Sequence, residues 1–170
     1  MDAEESFNAY VRARGPGLFR VAFLLTGDHH LAEDLVQQAL LRVVGRWPRV
    51  AAAGDPDVYV RRVLYHEHIS WWRRRLRRVA EVPEVGDVPG TDRSDDIVVA
   101  VAVRRALARL GARQRAVLVL RYFEDLSEAR TAEVLGMRVG TVKSQARDGL
   151  ARLRQLAPEL SDRIGAGRAR

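Results

Sequence analysis

LSEARTAEVLGMRVGTVKSQARDGLARLR, residues 126–154, decides how the rest of the chain is read. The spacing predicts two short helices joined by a tight turn, the second longer and basic. Ala132 precedes Gly136 by four residues, so a small side chain sits where two helices must approach closely. Gly136 is placed to end the first helix, because glycine enters the left-handed conformation without steric cost. Beyond it, Val142, Ala146, Leu150 and Leu153 recur at helical spacing and form a stripe to be buried. Thr141, Lys143, Ser144, Arg147 and, nearby, Gln145 then face outward. Short hydrogen-bonding and cationic side chains at the start of an exposed helix suit the major groove of DNA. The expectation is a helix-turn-helix. An αα-hairpin with a solvated basic face is the plainer alternative, and the charge of the whole chain favours the DNA reader.

That charge is +7 over 170 residues, and its distribution says more than its sum. Residues 1–60 carry −2, 61–78 carry +6, 79–96 carry −5 and 97–170 carry +8. Two basic blocks separated by an acidic one predict two separate contacts with a polyanion. With no cysteine, disulfides and thiolate metal sites are excluded, which fits a reducing cytoplasm. No apolar run approaches the roughly 20 residues that span a bilayer, and no signal peptide is expected.

Upstream, helical periodicity runs over residues 2–25, with Gly15-Pro16-Gly17 expected to kink or split the helix. Asp28 is a candidate N-cap for a second helix, His29 to Trp47, whose inner face is Leu31, Leu35, Ala39, Val43 and Trp47. Its other side shows Asp34, Gln37, Gln38 and Leu41, spaced i, i+3, i+4, i+7. An exposed leucine in an acid and amide stripe predicts a docking surface for another protein, against a solvated face with one stray leucine. His29-His30 beside Glu33-Asp34 invites a metal reading, but the spacing does not cleanly put two ligands on one face, so no metal is expected. Pro48 is read as ending this helix and residues 51–56 as a loop.

A third helix is expected from Asp57 to Arg78. Tyr59, Arg61, Arg62, Tyr65, His66 and His68 ride on its apolar framework, and it ends in Trp71-Trp72 and a run containing Arg73 and Arg74. Interleaved rings and guanidinium groups suit single-stranded nucleic acid, since rings stack on bases while cations hold phosphates. At least one tryptophan is expected in the core, because neighbours on a helix point about 100° apart. Residues 79–96, with two prolines, two glycines and six acids, read as a flexible linker. Extended, 18 residues reach about 60 Å at roughly 3.3 Å each, or about 17 base pairs at ~3.4 Å per step. Two DNA-reading domains could therefore sit at separated sites. Helices over Ile97–Leu110 and Arg113–Phe123 follow, with Leu107, Leu110, Val117, Leu118, Leu120, Tyr122 and Phe123 packing behind the helix-turn-helix. The tail after Pro158 is expected to fray.

With these residues placed, the chain resembles an extracytoplasmic-function (ECF) sigma factor of bacterial RNA polymerase, in the sigma-70 family. The resemblance runs from about Phe7 to Leu156 and rests on four stretches in the family's order: AEDLVQQALLRV (32–43), YVRRVLYHEHISWWRRR (59–75), RQRAVLVLRYFEDLSEARTAEVLGM (113–137) and VGTVKSQARDGLARLR (139–154). It implies an all-α fold of two small domains. These are a region 2 bundle over 1–78 and a four-helix region 4 over 97–156, joined by the acidic linker 79–96 and followed by a tail over 157–170. It implies that Asp34, Gln37, Gln38 and Leu41 dock on the clamp helices of the polymerase's largest subunit. Tyr59, Arg61, Arg62, His66, Arg73 and Arg74 would melt and read the −10 element. Arg130, Thr141, Lys143, Ser144 and Arg147 would read the −35 element. The linker would thread toward the RNA exit path, where its charge mimics a transcript. The flap of the second-largest subunit and an anti-sigma factor are further implied partners. No cofactor is implied.

His66 and Ser70 stand where many relatives have asparagine and aspartate, and Asp148 where relatives commonly carry arginine. A carboxylate at 148 would repel phosphate unless it accepts from a cytosine amino group or pairs with Arg152. Arg138 sits near the N-cap of the recognition helix, where a small polar residue is preferred. Without a Ser/His/Asp set or a phosphate loop, an enzyme is not expected. A stand-alone helix-turn-helix regulator is the competing function, and a repressor has no need of the Arg/Trp helix.

Overall fold

The computed structural model describes residues 2–78 and 95–158. Among these residues there are eight α-helices, one π-helical turn and no strand. Helix α1, Ala3–Thr26, opens on a capping box in which the Asp2 carboxylate accepts from the Glu5 amide at 2.7 Å and Glu5 accepts from the Asp2 amide at 3.2 Å. The helix is not split at Gly15-Pro16-Gly17: it runs through Pro16. Proline removes one ladder bond, but Pro16 is exposed, so water can reach the carbonyl left over. Phe7 and Tyr10 before it and Leu18, Val21, Ala22 and Leu25 after it pack into one core, and that burial outweighs the lost bond.

Helix α2, His29–Val44, is capped by Asp28, whose carboxylate accepts from the Leu31 amide at 2.9 Å. It buries Ala32, Leu35, Ala39 and Val43, while Leu31 is only half-buried. It stops before Trp47, contrary to expectation. Trp47 and Pro48 instead start a short helix α3, Trp47–Ala52. Proline suits a first turn, where its missing N–H has no intrahelical acceptor in any case. Trp47 is core, 5.1 Å from the Phe7 ring and 5.0 Å from Tyr10, with Nε1 donating to Ser6 Oγ at 3.2 Å. Helix α4, Pro56–Arg78, crosses the bundle and buries Val60, Leu64, Tyr65, His68 and Ile69. Tyr10 Oη donates to Asp57 at 3.1 Å and ties α1 to its start. Trp71 and Trp72 are both half-buried, so neither is the core residue expected; they meet edge to face at 5.7 Å.

Most of the acidic linker lies outside the described residues. Its last two acids, Asp95 and Asp96, fall instead within the first turn of α5, Asp95–Ala108. Of the tail, residues beyond Pro158 lie outside the described residues. Helix α6, Ala112–Leu118, passes into a π-helical turn, Val119–Phe123, in which the Glu124 amide donates to the Val119 carbonyl at 3.0 Å. The extra residue in the turn shifts the helical register. Tyr122 and Phe123 were expected behind the helix-turn-helix, and they are 51% and 53% exposed instead.

Helices α7, Glu128–Leu135, and α8, Val139–Leu156, form the expected pair. Ser127 caps α7, and Gly136 ends it at φ 63°, with the Met137 amide donating to the Ala132 carbonyl at 2.9 Å. Val142, Ala146, Gly149 and Leu153 are buried, and Leu150 half-buried. A Cβ on Gly149 would lie 3.2 Å from Leu118 Cδ1, so the glycine lets α8 close on α6.

The helices before and after the undescribed stretch do not stand apart. One core joins Leu25, Val60 and Leu64 to Ala116, Val117, Leu120, Ala132 and Leu135, while Leu107, Leu110, Leu118 and Leu153 form a second. The two halves are packed together.

Candidate nucleic-acid interface

The first two turns of α8 present Thr141, Lys143 and Arg147 to solvent, with Ser144 and Gln145 half-buried beside them. Ser144 Oγ donates to the Thr141 carbonyl at 3.0 Å, a local bond that a base edge would have to replace. Lys143 Nζ lies 3.7 Å from Glu128 on α7. Arg130, half-buried on α7, pairs with Glu133 on its own helix. Arg138 occupies the N-cap of α8 and makes no capping bond with its side chain. Asp148 does not pair with Arg152. It accepts from Arg147 Nε at 3.0 Å, so an acid restrains one of the cations expected on DNA.

On α4 the structure separates the expected −10 residues into two groups. Arg73 and Arg74 are exposed at its end, where the Arg75 guanidinium lies 5.2 Å from the Trp71 ring centre. Tyr59, Arg61 and Arg62 are half-buried near its start. Arg61 is flanked by Asp57 at 2.9 Å and by Glu124 of the π turn. Arg62 Nη2 donates to the Glu133 carbonyl at 2.9 Å. His66 is exposed, its Cε1 3.9 Å from the point where a Cβ on Gly136 would stand.

Asp34, Gln37, Gln38 and Leu41 all lie on the outer face of α2, and Leu41 is 66% exposed. Asp34 and Gln38 also line a small cavity with Thr26, His68, Trp71 and Arg74, so the stripe adjoins the cationic end of α4. Arg42 on the same helix reaches the buried Glu67 carboxylate at 2.6 Å and fixes α2 on α4.

Sequence reasoning missed two buried polar side chains between the halves. Arg115 on α6 is 1% exposed, and its Nε donates to the Leu24 carbonyl at 2.7 Å, at the C-terminal end of α1. A cation there is favoured by the helix dipole. Burial lowers its pKa to about 10, so it stays charged at neutral pH. His68 on α4 is fully buried, with neither ring nitrogen hydrogen-bonded. Burial, and then the nearby Arg115, push its pKa down to about 3. Both positions continue apolar stripes, His68 following Val60 and Leu64 and Arg115 preceding Val119, which was the available signal. His29, His30 and Glu33 also come together, with Glu33 3.5 Å from His29 Nδ1 and 3.9 Å from His30 Nδ1, contrary to the expectation from spacing. Offsets of four and three share a helix face. All three are exposed on the first turns of α2, where the dipole opposes a cation.

A basic helix on a helix-turn-helix thus stands beside a bundle with an Arg/Trp helix and a polar stripe carrying an exposed leucine. Residues 10–78 match sigma-70 region 2 and residues 100–153 match sigma-70, region 4. The chain belongs to the sigma-70 family of RNA polymerase sigma factors, within its ECF group. It is 40% identical to the RNA polymerase sigma-E factor of Streptomyces avermitilis, over 88% of this chain and 83% of that protein. It is 33% identical to the ECF RNA polymerase sigma factor SigM of Mycobacterium tuberculosis, over 96% and 83%. Among solved structures it is similar to the co-crystal structure of the sigma factor RpoE with the anti-sigma factor NepR from Bartonella quintana. That match has 26% identity and a TM-score of 0.73, over 89% of this chain and 96% of that one. Among the described residues no helix is long and apolar enough to cross a membrane.

Proposed function

We propose that this chain directs core RNA polymerase to promoters through three separate surfaces. The outer face of α2, with Asp34, Gln37, Gln38 and Leu41, docks on the clamp helices of the polymerase. Tyr59, Arg61, Arg62, His66, Arg73 and Arg74 of α4 bind the −10 element as a single strand. The start of α8, with Thr141, Lys143, Ser144 and Arg147 and with Arg130 from α7, reads the −35 duplex. Region 2 then corresponds to 1–78 and region 4 to 97–156. The protein acts in the cytoplasm, where polymerase works, as an initiation subunit rather than an enzyme. The similarity to a sigma factor held by an anti-sigma factor supports a partner of that kind here also.

The observation that carries this reading is the solvent-facing Leu41 in a polar stripe, alongside a solvent-facing basic α8 in the same chain. A stand-alone regulator has no use for that stripe. Asp34→Arg combined with Leu41→Ala is expected to abolish comigration with core polymerase on a sizing column while leaving helicity intact. A double variant that still comigrates would refute the docking assignment.

A further inference from the structure

Among the described residues, His29, His30 and Glu33 form the one group of histidines and acids whose ligand atoms come close enough to share a metal ion. One donor atom from each lies within 4.8 Å of the other two. Glu33 reaches the two rings through different carboxylate oxygens, 3.5 Å from His29 Nδ1 and 3.9 Å from His30 Nδ1. A tetrahedral zinc ion with bonds of roughly 2.0–2.1 Å holds its ligands about 3.3 Å apart. Side-chain rotation that closes the widest pair by at most about 1.5 Å therefore completes the set. We propose that the start of α2 is a binding site for a divalent transition cation such as Zn2+. Both imidazoles and the Glu33 carboxylate ligate it, and water fills the remaining positions.

The ligands stand on a fixed element. Asp28 caps α2 by accepting from the Leu31 amide at 2.9 Å, so the turn that carries both histidines is held in place. The His29 ring also rests against Phe19 of α1, with 4.8 Å between ring centres, which limits its rotamers. The dipole of α2, roughly half a positive charge at this end, opposes a cation. Local carboxylates outweigh it: residues 28–34 contain Asp28, Glu33 and Asp34 and no lysine or arginine, in a chain of net charge +7. Two imidazole nitrogens select zinc, nickel, cobalt or copper over magnesium and calcium, which take oxygen ligands. His30 stands four residues before Asp34, so the site adjoins the exposed stripe of α2 at its N-terminal end.

The test titrates the untagged full chain with zinc chloride in an isothermal calorimeter. One Zn2+ per chain is expected to bind with a micromolar Kd, and Mg2+ is expected to give no binding heat. His29→Ala, His30→Ala and Glu33→Gln should each weaken zinc binding by about tenfold or more, with helicity unchanged because all three side chains are exposed. His66→Ala removes the other exposed histidine and should change nothing. Cu2+ in place of zinc supplies an independent readout. Its electron paramagnetic resonance spectrum should carry nitrogen hyperfine splitting from two imidazoles in the wild type and from one in either histidine variant. Binding that needs millimolar zinc, that survives Glu33→Gln, that is lost with His66→Ala or that Mg2+ reproduces overturns the site. A wild-type copper spectrum with a single imidazole nitrogen overturns it as well.

Discussion

Acidification should destabilise this protein through one residue, His68. The ring is buried between α4 and α6, with Arg115 facing it, and its pKa is lowered from the ordinary 6.5 to about 3. Asp34 from α2 and Glu67 and Arg74 from α4 line the cavity beside it, and Glu67 is held by Arg42. Below pH 6.5 the unfolded chain takes up a proton at this site and the folded chain does not, so the penalty begins there and is complete only below about pH 3. Relative to pH 7.5, one group shifted this far costs about 1.4 kcal/mol at pH 5.5 and about 2.7 kcal/mol at pH 4.5. Urea midpoints multiplied by the unfolding slope at pH 7.5 and 5.5 give the wild-type loss. His68→Leu supplies the reference, because neither ring nitrogen has a hydrogen-bond partner to lose. The variant should lose about 1.4 kcal/mol less than wild type over the same interval. Equal losses in the two proteins would show that His68 is hydrated in the folded state, and the argument from burial would fail.

Gly136→Ala places a Cβ at φ 63°, where an L-residue costs roughly 1–2 kcal/mol; a melting midpoint lowered by about 2–8 °C is expected, and no change would mean the turn relaxes. Arg42→Ala strands the buried Glu67 carboxylate and should cost about 1–3 kcal/mol in urea unfolding at pH 7. Asp148→Ala frees Arg147 from its acidic neighbour, so affinity for −35 duplexes should rise across all sequences and its salt dependence steepen by about one phosphate contact. A preference lost at a single base position, found by selection from a random −35 library, would instead make Asp148 a base reader.

Much of the fold was legible because helices announce themselves locally. Asp28 as a cap, Gly136 as a stop and the Val142, Ala146, Leu153 stripe are properties of spacing and of single-residue conformational preference, and the structure contains all three. The outward placement of Asp34, Gln37, Gln38 and Leu41 follows from the same 3.6-residue period. Where local rules conflicted with burial, burial won: α1 continues through Pro16 because apolar residues on both sides share one core. The outward turn of Tyr122 and Phe123 needed the π turn, which no periodicity marks. Nor could spacing show that Arg115 and His68 meet across 47 residues of sequence, or that Glu124 and Glu133 reach Arg61 and Arg62. Local spacing established most of the helices, many of their buried faces and the sigma-70 resemblance, since each depends on neighbours within a turn or two. Which cations remain free for DNA was decided only by the tertiary structure, because a charge's partner is set by what the fold brings within a few ångströms of it.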